Sequence, residues 1–338
     1  MADKKKRKLK RIHIVLIVVA SVILVVTSAL LITNIFIPVK YLGAYFTVAD
    51  RNPEGELRIT FIDVGYGDST VIELPDGKVI LIDGGGDSYQ SKYKVLQKLN
   101  SLGIDTVDYL ICSSVSAERC GGLSDILKYK TVKEIYTPYC PYTHVTKEYR
   151  SFILEMNEGD YITHTLEYGA GFCNEENGYS MYVLSPSAIN LEGGEIDNFI
   201  NEPSRKNIDN ASAVIWFECK GEGFLFLGNA RSEVLDKLAN KFIDGFEVGG
   251  KVIDISKCKL IKVPNHGAAV NHFAELIEKF APRAAVMSVG ENGFACPAAQ
   301  TVSDIQNCVH DSFYRTDYDG SVTVILRDGT LSVIKEKK

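Results

Sequence analysis

Leu110-Ile111-Cys112-Ser113-Ser114-Val115-Ser116-Ala117-Glu118-Arg119-Cys120-Gly121-Gly122-Leu123 is the stretch on which the rest of the chain converges. With Val107 it opens as an apolar strand over Val107–Cys112, then breaks into a loop of small hydroxyls, one acid and one base. Paired glycines close the loop, residues that let two backbones approach closely. A loop at the carboxyl end of a strand is where α/β folds place ligands. Ser114, Ser116, Glu118 and Arg119 are therefore the first candidate site residues.

Upstream, Leu57–Val64 is a strand leading into Gly65-Tyr66-Gly67-Asp68. Ser69–Leu74 and Lys78–Asp83 flank the turn Pro75-Asp76-Gly77 and read as a β-hairpin that runs into Gly84-Gly85-Gly86. Val95, Leu96, Leu99 and Leu102 share one face of a helix over Tyr93–Leu102 that stops at Gly103. Downstream, residues 124–205 are harder to read. They carry Tyr136, Tyr139, Tyr142 and Tyr149 with Pro138 and Pro141, and a strand near Tyr179–Leu184. Ala211–Cys219 and Gly223–Leu227 are strands, the second entering Gly228-Asn229-Ala230, and Val234, Leu235, Leu238 and Phe242 mark a helix. The strand Lys259–Val263 ends in Pro264-Asn265-His266-Gly267 and precedes a helix bearing Phe273, Leu276, Ile277 and Phe280. The strand Ala284–Val289, the loop Gly290–Pro297, a helix over Ala299–Cys308 and a hairpin over Ser321–Ile334 complete the chain. The order β-β-α-β followed by further strands and helices occurs twice, which predicts two sheets face to face with helices outside, in one domain of residues 57–335.

The amino terminus is different in kind. Lys4, Lys5, Lys6, Arg7, Lys8, Lys10 and Arg11 precede Ile14–Val39, 26 residues without a charge. That run is long enough to cross a hydrocarbon core of roughly 30 Å and too long for the apolar region of a cleaved signal peptide. The positive-inside rule puts the basic flank in the cytoplasm and all that follows outside it. The predicted organisation is a basic tail (1–11), a transmembrane anchor (12–39), a tether (40–56) and an extracytoplasmic domain, in a single-pass cell-membrane protein. The whole chain carries a formal charge of −6; without the tail 30 basic residues face 42 acidic ones, about −12. Such a surface repels a phosphate backbone, which argues against a nucleic-acid partner. The composition, 46% hydrophobic and 24% charged, excludes disorder of the whole. Eight cysteines (112, 120, 140, 173, 219, 258, 296 and 308) include no Cys-x-x-Cys unit, and the expectation is buried free thiols.

The motifs together resemble the extracytoplasmic metallo-β-lactamase-like domain of ComEC-type DNA-uptake competence proteins and their stand-alone relatives, over nearly all of the region after the anchor. Phe61-Ile62-Asp63-Val64-Gly65-Tyr66-Gly67-Asp68-Ser69 is similar to that family's Phe-x-Asp-Val-Gly-Gln-Gly-Asp-Ser, and Leu81-Ile82-Asp83-Gly84-Gly85 and Gly121-Gly122-Leu123 also correspond. The resemblance implies an αββα sandwich of metallo-β-lactamase type, and structural roles in loops for Asp63, Asp68 and Asp83. It also implies a metal site at positions where this chain has changed. The family's His-x-His-x-Asp-His stands here as Ser114, Ser116, Glu118 and Arg119. Its metal-bridging aspartate is Asn229, its Pro-His-His-Gly is Pro264-Asn265-His266-Gly267, and its Tyr-Gly-His-Pro is Phe294-Ala295-Cys296-Pro297. Hydroxyls are poor zinc ligands, and an arginine among ligands is a fixed positive charge.

Three functional readings follow. The first is a membrane-anchored pseudoenzyme with no metal cofactor that binds a protein or small molecule. The second is a zinc hydrolase of phosphodiesters or other esters with a rebuilt site of Glu118, Cys120, His266 and Cys296, with His272 as a further donor. The third pairs Ser114 or Ser116 with His266 as a metal-free nucleophile and base.

Overall fold

The computed structural model describes residues 2–36, 39–47, 50, 52–53, 55–138, 145–186, 205–241, 246–309 and 312–337. Tyr139, Cys140, Pro141, Tyr142 and Phe242 lie outside them. The chain divides into two compact units, residues 1–47 and 48–338. In the first, helix α1 (Ala2–Phe36) contains the stretch His13–Leu31, 19 residues with mean hydropathy 3.1. At about 1.5 Å per residue that stretch spans roughly 28 Å. Among the described residues it is the one helix long and apolar enough to cross a membrane.

The second unit begins with β1 (Leu57–Phe61), β2 (Thr70–Glu73), β3 (Val79–Ile82), α2 (Tyr89–Ser101) and β4 (Thr106–Ile111). Two short helices, α3 (Ala117–Cys120) and α4 (Leu123–Tyr129), then lead to β5 (Thr131–Pro138), α5 (Lys147–Glu158) and β6 (Ile162–Leu166). The second half runs β7 (Gly171–Asn174), β8 (Tyr179–Ser185), α6 (Arg205–Asn210), β9 (Val214–Cys219), β10 (Glu222–Phe226) and α7 (Ser232–Lys241). A small hairpin, β11 (Phe246–Val248) and β12 (Lys251–Ile253), precedes β13 (Cys258–Lys262), α8 (Phe273–Phe280), β14 (Ala284–Met287) and α9 (Ala299–Val309). The chain closes with β15 (Phe313–Arg315), α10 (Thr316–Asp319), β16 (Val322–Arg327) and β17 (Thr330–Lys335).

These strands form an eight-stranded sheet, β17-β16-β1-β2-β3-β4-β5-β6, and a seven-stranded sheet, β15-β14-β13-β10-β9-β8-β7. The side-chain period of two explains why they face each other. Leu57, Ile59 and Phe61 of β1 share one core with Met181, Val183, Ile215, Phe217, Phe224 and Leu260 of the other sheet. The alternate residues of the second sheet, Val214, Trp216, Leu225 and Ile261, lie instead under Val234 and Leu235 of α7 and Phe273, Ile277 and Phe280 of α8. Central strands covered on both faces read as continuous apolar runs. This is the αββα sandwich of metallo-β-lactamase type that the motifs imply.

Several elements begin earlier than apolar spacing suggests, for a local reason. Helix α2 starts at Tyr89, four residues ahead of the expected Tyr93, because the Ser88 side chain caps it by accepting from the Ser91 N–H at 3.1 Å. The hard middle third holds β5, α5 and β6. Thr146 caps α5 by accepting from the Tyr149 N–H at 3.2 Å, and Tyr136 and Tyr149 are buried in packing.

Candidate functional site

The site lies where loops leave the carboxyl ends of β1, β3 and β4 in one sheet and of β10, β13 and β14 in the other. Main-chain hydrogen bonds stitch three of these loops together. The Asp68 N–H donates to the Glu118 carbonyl at 3.0 Å, the Gly84 N–H to the Arg119 carbonyl at 2.7 Å, and the Gly85 N–H to the Asp68 carbonyl at 2.7 Å. The paired glycines make that contact physically attainable. A Cβ on Gly121 would fall 2.4 Å from the Asp87 nitrogen, and one on Gly122 would fall 2.2 Å from the Gly84 oxygen.

Four charged groups meet at the centre of this frame, all nearly inaccessible: Asp68 and Arg119 at 2% exposure, Asp83 at 0% and Lys262 at 3%. One Asp68 oxygen pairs with Arg119 Nη2 and the other with Lys262 Nζ. Arg119 Nη1 reaches Asp83 Oδ2 at 2.8 Å and its Nε donates to Asn229 Oδ1 at 2.7 Å. Asp83 is held further by the Ser113 N–H at 2.7 Å and the Ser113 hydroxyl at 2.6 Å. Asn229 Nδ2 donates to Glu118 Oε1 at 3.1 Å and to Ser116 Oγ at 3.3 Å, and the Ser114 and Ser116 hydroxyls are 3.0 Å apart. The void lined by Asp68, Asp83, Ser113, Arg119 and Lys262 measures about 10 Å³, room for about one water.

Burial alone would raise the Asp68 carboxyl, but Arg119 and Lys262 outweigh it and hold Asp68 well below the usual aspartate range. Asp83 goes the other way, raised by its complete burial against the pull of Arg119 and Ser113. Burial also pushes Lys262 down to about 8, helped by the Arg119 charge and opposed by Asp68. The same environment lowers His266 to about 4: burial first, then repulsion from Arg119 and Lys262 beyond what Asp68 returns. His266 is therefore neutral at pH 7. Its Nδ1 lies 3.0 Å from the Ser288 carbonyl, which can only accept, so Nδ1 carries the proton. Its Nε2 is buried and has no hydrogen-bond partner among the described residues. Tyr66 packs over its ring at 4.5 Å between centroids, and Phe294 packs on Tyr66 at 5.2 Å.

The structure thus gathers Asp68, Asp83, Ser114, Ser116, Glu118, Arg119, Asn229 and His266 around one centre. Asn265 is buried beside it, and both Asn265 and His266 adopt positive φ, 46° and 54°. Asp63 stands apart in its turn, accepting from the Gly65 N–H at 3.2 Å and pairing with Lys94 at 3.1 Å. The Cys120 thiol points to the Val115 carbonyl and to Thr146, and burial raises it far above the ordinary thiol value. Cys296 bonds to the Phe294 carbonyl at 3.7 Å, and His272 is paired with Glu275 at 2.8 Å on an exposed turn. Neither His266 nitrogen meets a serine hydroxyl, so the geometry does not form the Ser114 or Ser116 to His266 pair. The seven described cysteines are free.

Zinc does not suit this donor set. Tetrahedral zinc takes three or four imidazole, thiolate or carboxylate donors. Here Asp68 and Asp83 are already engaged by a guanidinium and an ammonium, Glu118 accepts from Asn229, and His266 Nε2 is one donor alone. Among the described residues no group of three or more His, Cys, Asp and Glu side chains could hold a metal ion. Lys262 is the member that motif reading passed over. Its signal lies in the period of two: Leu260 faces the inter-sheet core, so Lys262 two residues on must face inward as well.

The fold and its loop-end site define a metallo-β-lactamase-type scaffold. By sequence the chain is similar to ComE operon protein 3 of Bacillus subtilis (strain 168), 25% identical over 304 residues, 83% of this chain and 34% of that protein. The chain spans about a third of the length of that relative. No protein-family profile matches the chain. Similar solved structures include CmlA, a diiron β-hydroxylase from Streptomyces venezuelae, with 11% identity, 82% of this chain and 55% of that one covered, and TM-score 0.47. Another is a diphosphatase of the PhnP family, with 11% identity, 80% and 99% covered, and TM-score 0.44.

Proposed function

We propose that this protein is a membrane-anchored, extracytoplasmic binding or interaction protein on a metallo-hydrolase scaffold, without metal-dependent turnover. One observation carries the reading: Arg119, which stands where the resemblance puts a metal ligand, and Lys262 place two buried cations at the centre of the site, paired with Asp68 and Asp83. Metal catalysis of hydrolysis begins with a bound water whose pKa falls toward neutrality beside the ion. Electrostatic repulsion from two fixed positive charges opposes that start. The helix His13–Leu31 supports the anchor, and the basic flank supports a cytoplasmic amino terminus. The acidic remainder of the chain favours a protein or small-molecule ligand over nucleic acid.

The test uses the full chain purified in detergent without chelator or metal-affinity resin. Zinc, manganese and iron are measured per chain by elemental mass spectrometry, and hydrolysis of bis(p-nitrophenyl) phosphate is followed with and without added zinc or manganese. Metal near zero and no turnover are expected. One or two metal ions per chain, with hydrolysis abolished by His266→Ala, would overturn the proposal.

A further inference from the structure

We infer that the Arg119 guanidinium and the Lys262 ammonium are built-in stand-ins for metal cations, supplying the positive charge that holds the loop ends of the two sheets together. This deepens the non-catalytic reading, and its readout is stability, so either can fail without the other.

The argument starts from which element supplies each group. Asp68 follows β1, Asp83 follows β3 and Arg119 lies in α3 after β4, all attached to the eight-stranded sheet. Lys262 is the last residue of β13 in the seven-stranded sheet. Asp68 is gripped by one cation from each sheet, so its carboxylate is an ionic bridge across this end of the sandwich. Arg119 extends the bridge to Asp83 and, through Asn229, to the loop after β10. A multivalent ion between carboxylates would join the same loops in the same way.

Among the fully buried groups the charges pair off: two cations face two carboxylates at a depth where an uncompensated charge is strongly disfavoured, with half-buried Glu118 at the edge. The void that the four groups share is no larger than about one water, so the head groups occupy the space as well as neutralise it. The sequence changes fall into place on this basis. Arg119 brings a permanent charge, and Asn229 presents its amide oxygen to the Arg119 Nε while its Nδ2 turns to Glu118. An aspartate at 229 would set a further carboxylate beside Glu118 and Asp209, which Asn229 Nδ2 meets at 3.1 and 3.4 Å.

The experiment is a charge-balance cycle on the full chain in detergent, read as Tm. Lys262→Met leaves one excess negative charge and Asp68→Asn one excess positive charge; each single variant is expected to lose on the order of 10 °C. The double variant keeps Arg119 with Asp83 and is neutral again, so its loss should be clearly smaller than the sum of the two. Strictly additive losses would overturn the inference. Arg119→Ala supplies a second arm: millimolar methylguanidinium should raise its Tm and leave the wild type unchanged, and an absence of that selective rise counts against the role assigned to Arg119. Should a variant not fold, the wild type still decides. Its Tm is expected to be indifferent to chelator and to added zinc or manganese, and a shift of several degrees with either would mean that a metal, rather than Arg119 and Lys262, holds the centre.

Discussion

At the scale of single residues, His266 has the clearest consequence for acid stability. Its folded pKa of about 4 lies below the ordinary 6.5 because the ring is buried and faces Arg119 and Lys262. Between those two values the unfolded chain binds the proton and the folded chain does not, so stability falls as pH drops from 6.5 to 4. At about 1.4 kcal/mol per unit this amounts to on the order of 3 kcal/mol. Glu73 acts with the opposite sign: burial raises it to about 7 despite Arg58, so the folded chain takes that proton first. The measurement is therefore a difference, urea unfolding of wild type and His266→Asn at pH 7 and pH 4.5, and the variant should lose less stability on acidification. Equal losses would show that His266 does not titrate in this window. A second residue-scale prediction concerns Gly121, whose backbone is ordinary helix, so the cost of a side chain there is wholly steric. Gly121→Ala must push on the Asp87 and Gly86 backbone and should cost about 1–3 kcal/mol. Gly293→Ala, where a Cβ meets nothing within 4 Å, should leave Tm unchanged. The changed motif positions Ser114, Ser116, Glu118, Arg119, Asn229 and Asn265, with the retained His266, could be named from the sequence because motif order brings those loops together. The period of two turns Lys262 inward, but its partner and the role of Ser113 could not be read, because nothing in a one-dimensional motif says which neighbour a buried charge will choose.

At the scale of elements, the apolar faces were legible and the caps and short connections were not. Helix α8 shows why: Phe273, Leu276, Ile277 and Phe280 recur at helical spacing, and all four are buried against the seven-stranded sheet. Phe280 sits 6.3 Å from Trp216 between ring centroids, and Phe280→Ala should remove about 3–5 kcal/mol, seen as a lower urea midpoint with an unchanged slope. By contrast α3 and α4 have four and seven residues, too short to display a period, and they form because the glycines between them let the chain press against Gly84 and Asp87. Strand β6 escaped notice for a related reason. Only Leu166 of its five residues is buried, so an edge strand with a mostly exposed sequence carries little alternation to read.

At the scale of the whole molecule, the charge pattern and the apolar helix support a single topology. Seven basic residues lie before the apolar stretch, and those positive charges resist translocation. The helix His13–Leu31 has no Asp, Glu, Lys or Arg, and its length matches the hydrocarbon core. In the orientation proposed, with the amino terminus in the cytoplasm, a single crossing would carry residues 40–338 out. Two reporters distinguish this from the reverse orientation. In intact cells expressing the chain with an epitope at each end, protease added to the outside should remove the carboxyl-terminal epitope and spare the amino-terminal one. Replacing Lys4, Lys5, Lys6, Arg7, Lys8, Lys10 and Arg11 with glutamine should weaken that bias, exposing the amino-terminal epitope in part of the population. The opposite pattern in the wild type, with the amino-terminal epitope digested and the other protected, would place the sandwich in the cytoplasm. Its partner would then have to be sought there, on the same side of the membrane as the nucleic acid that its acidic surface repels.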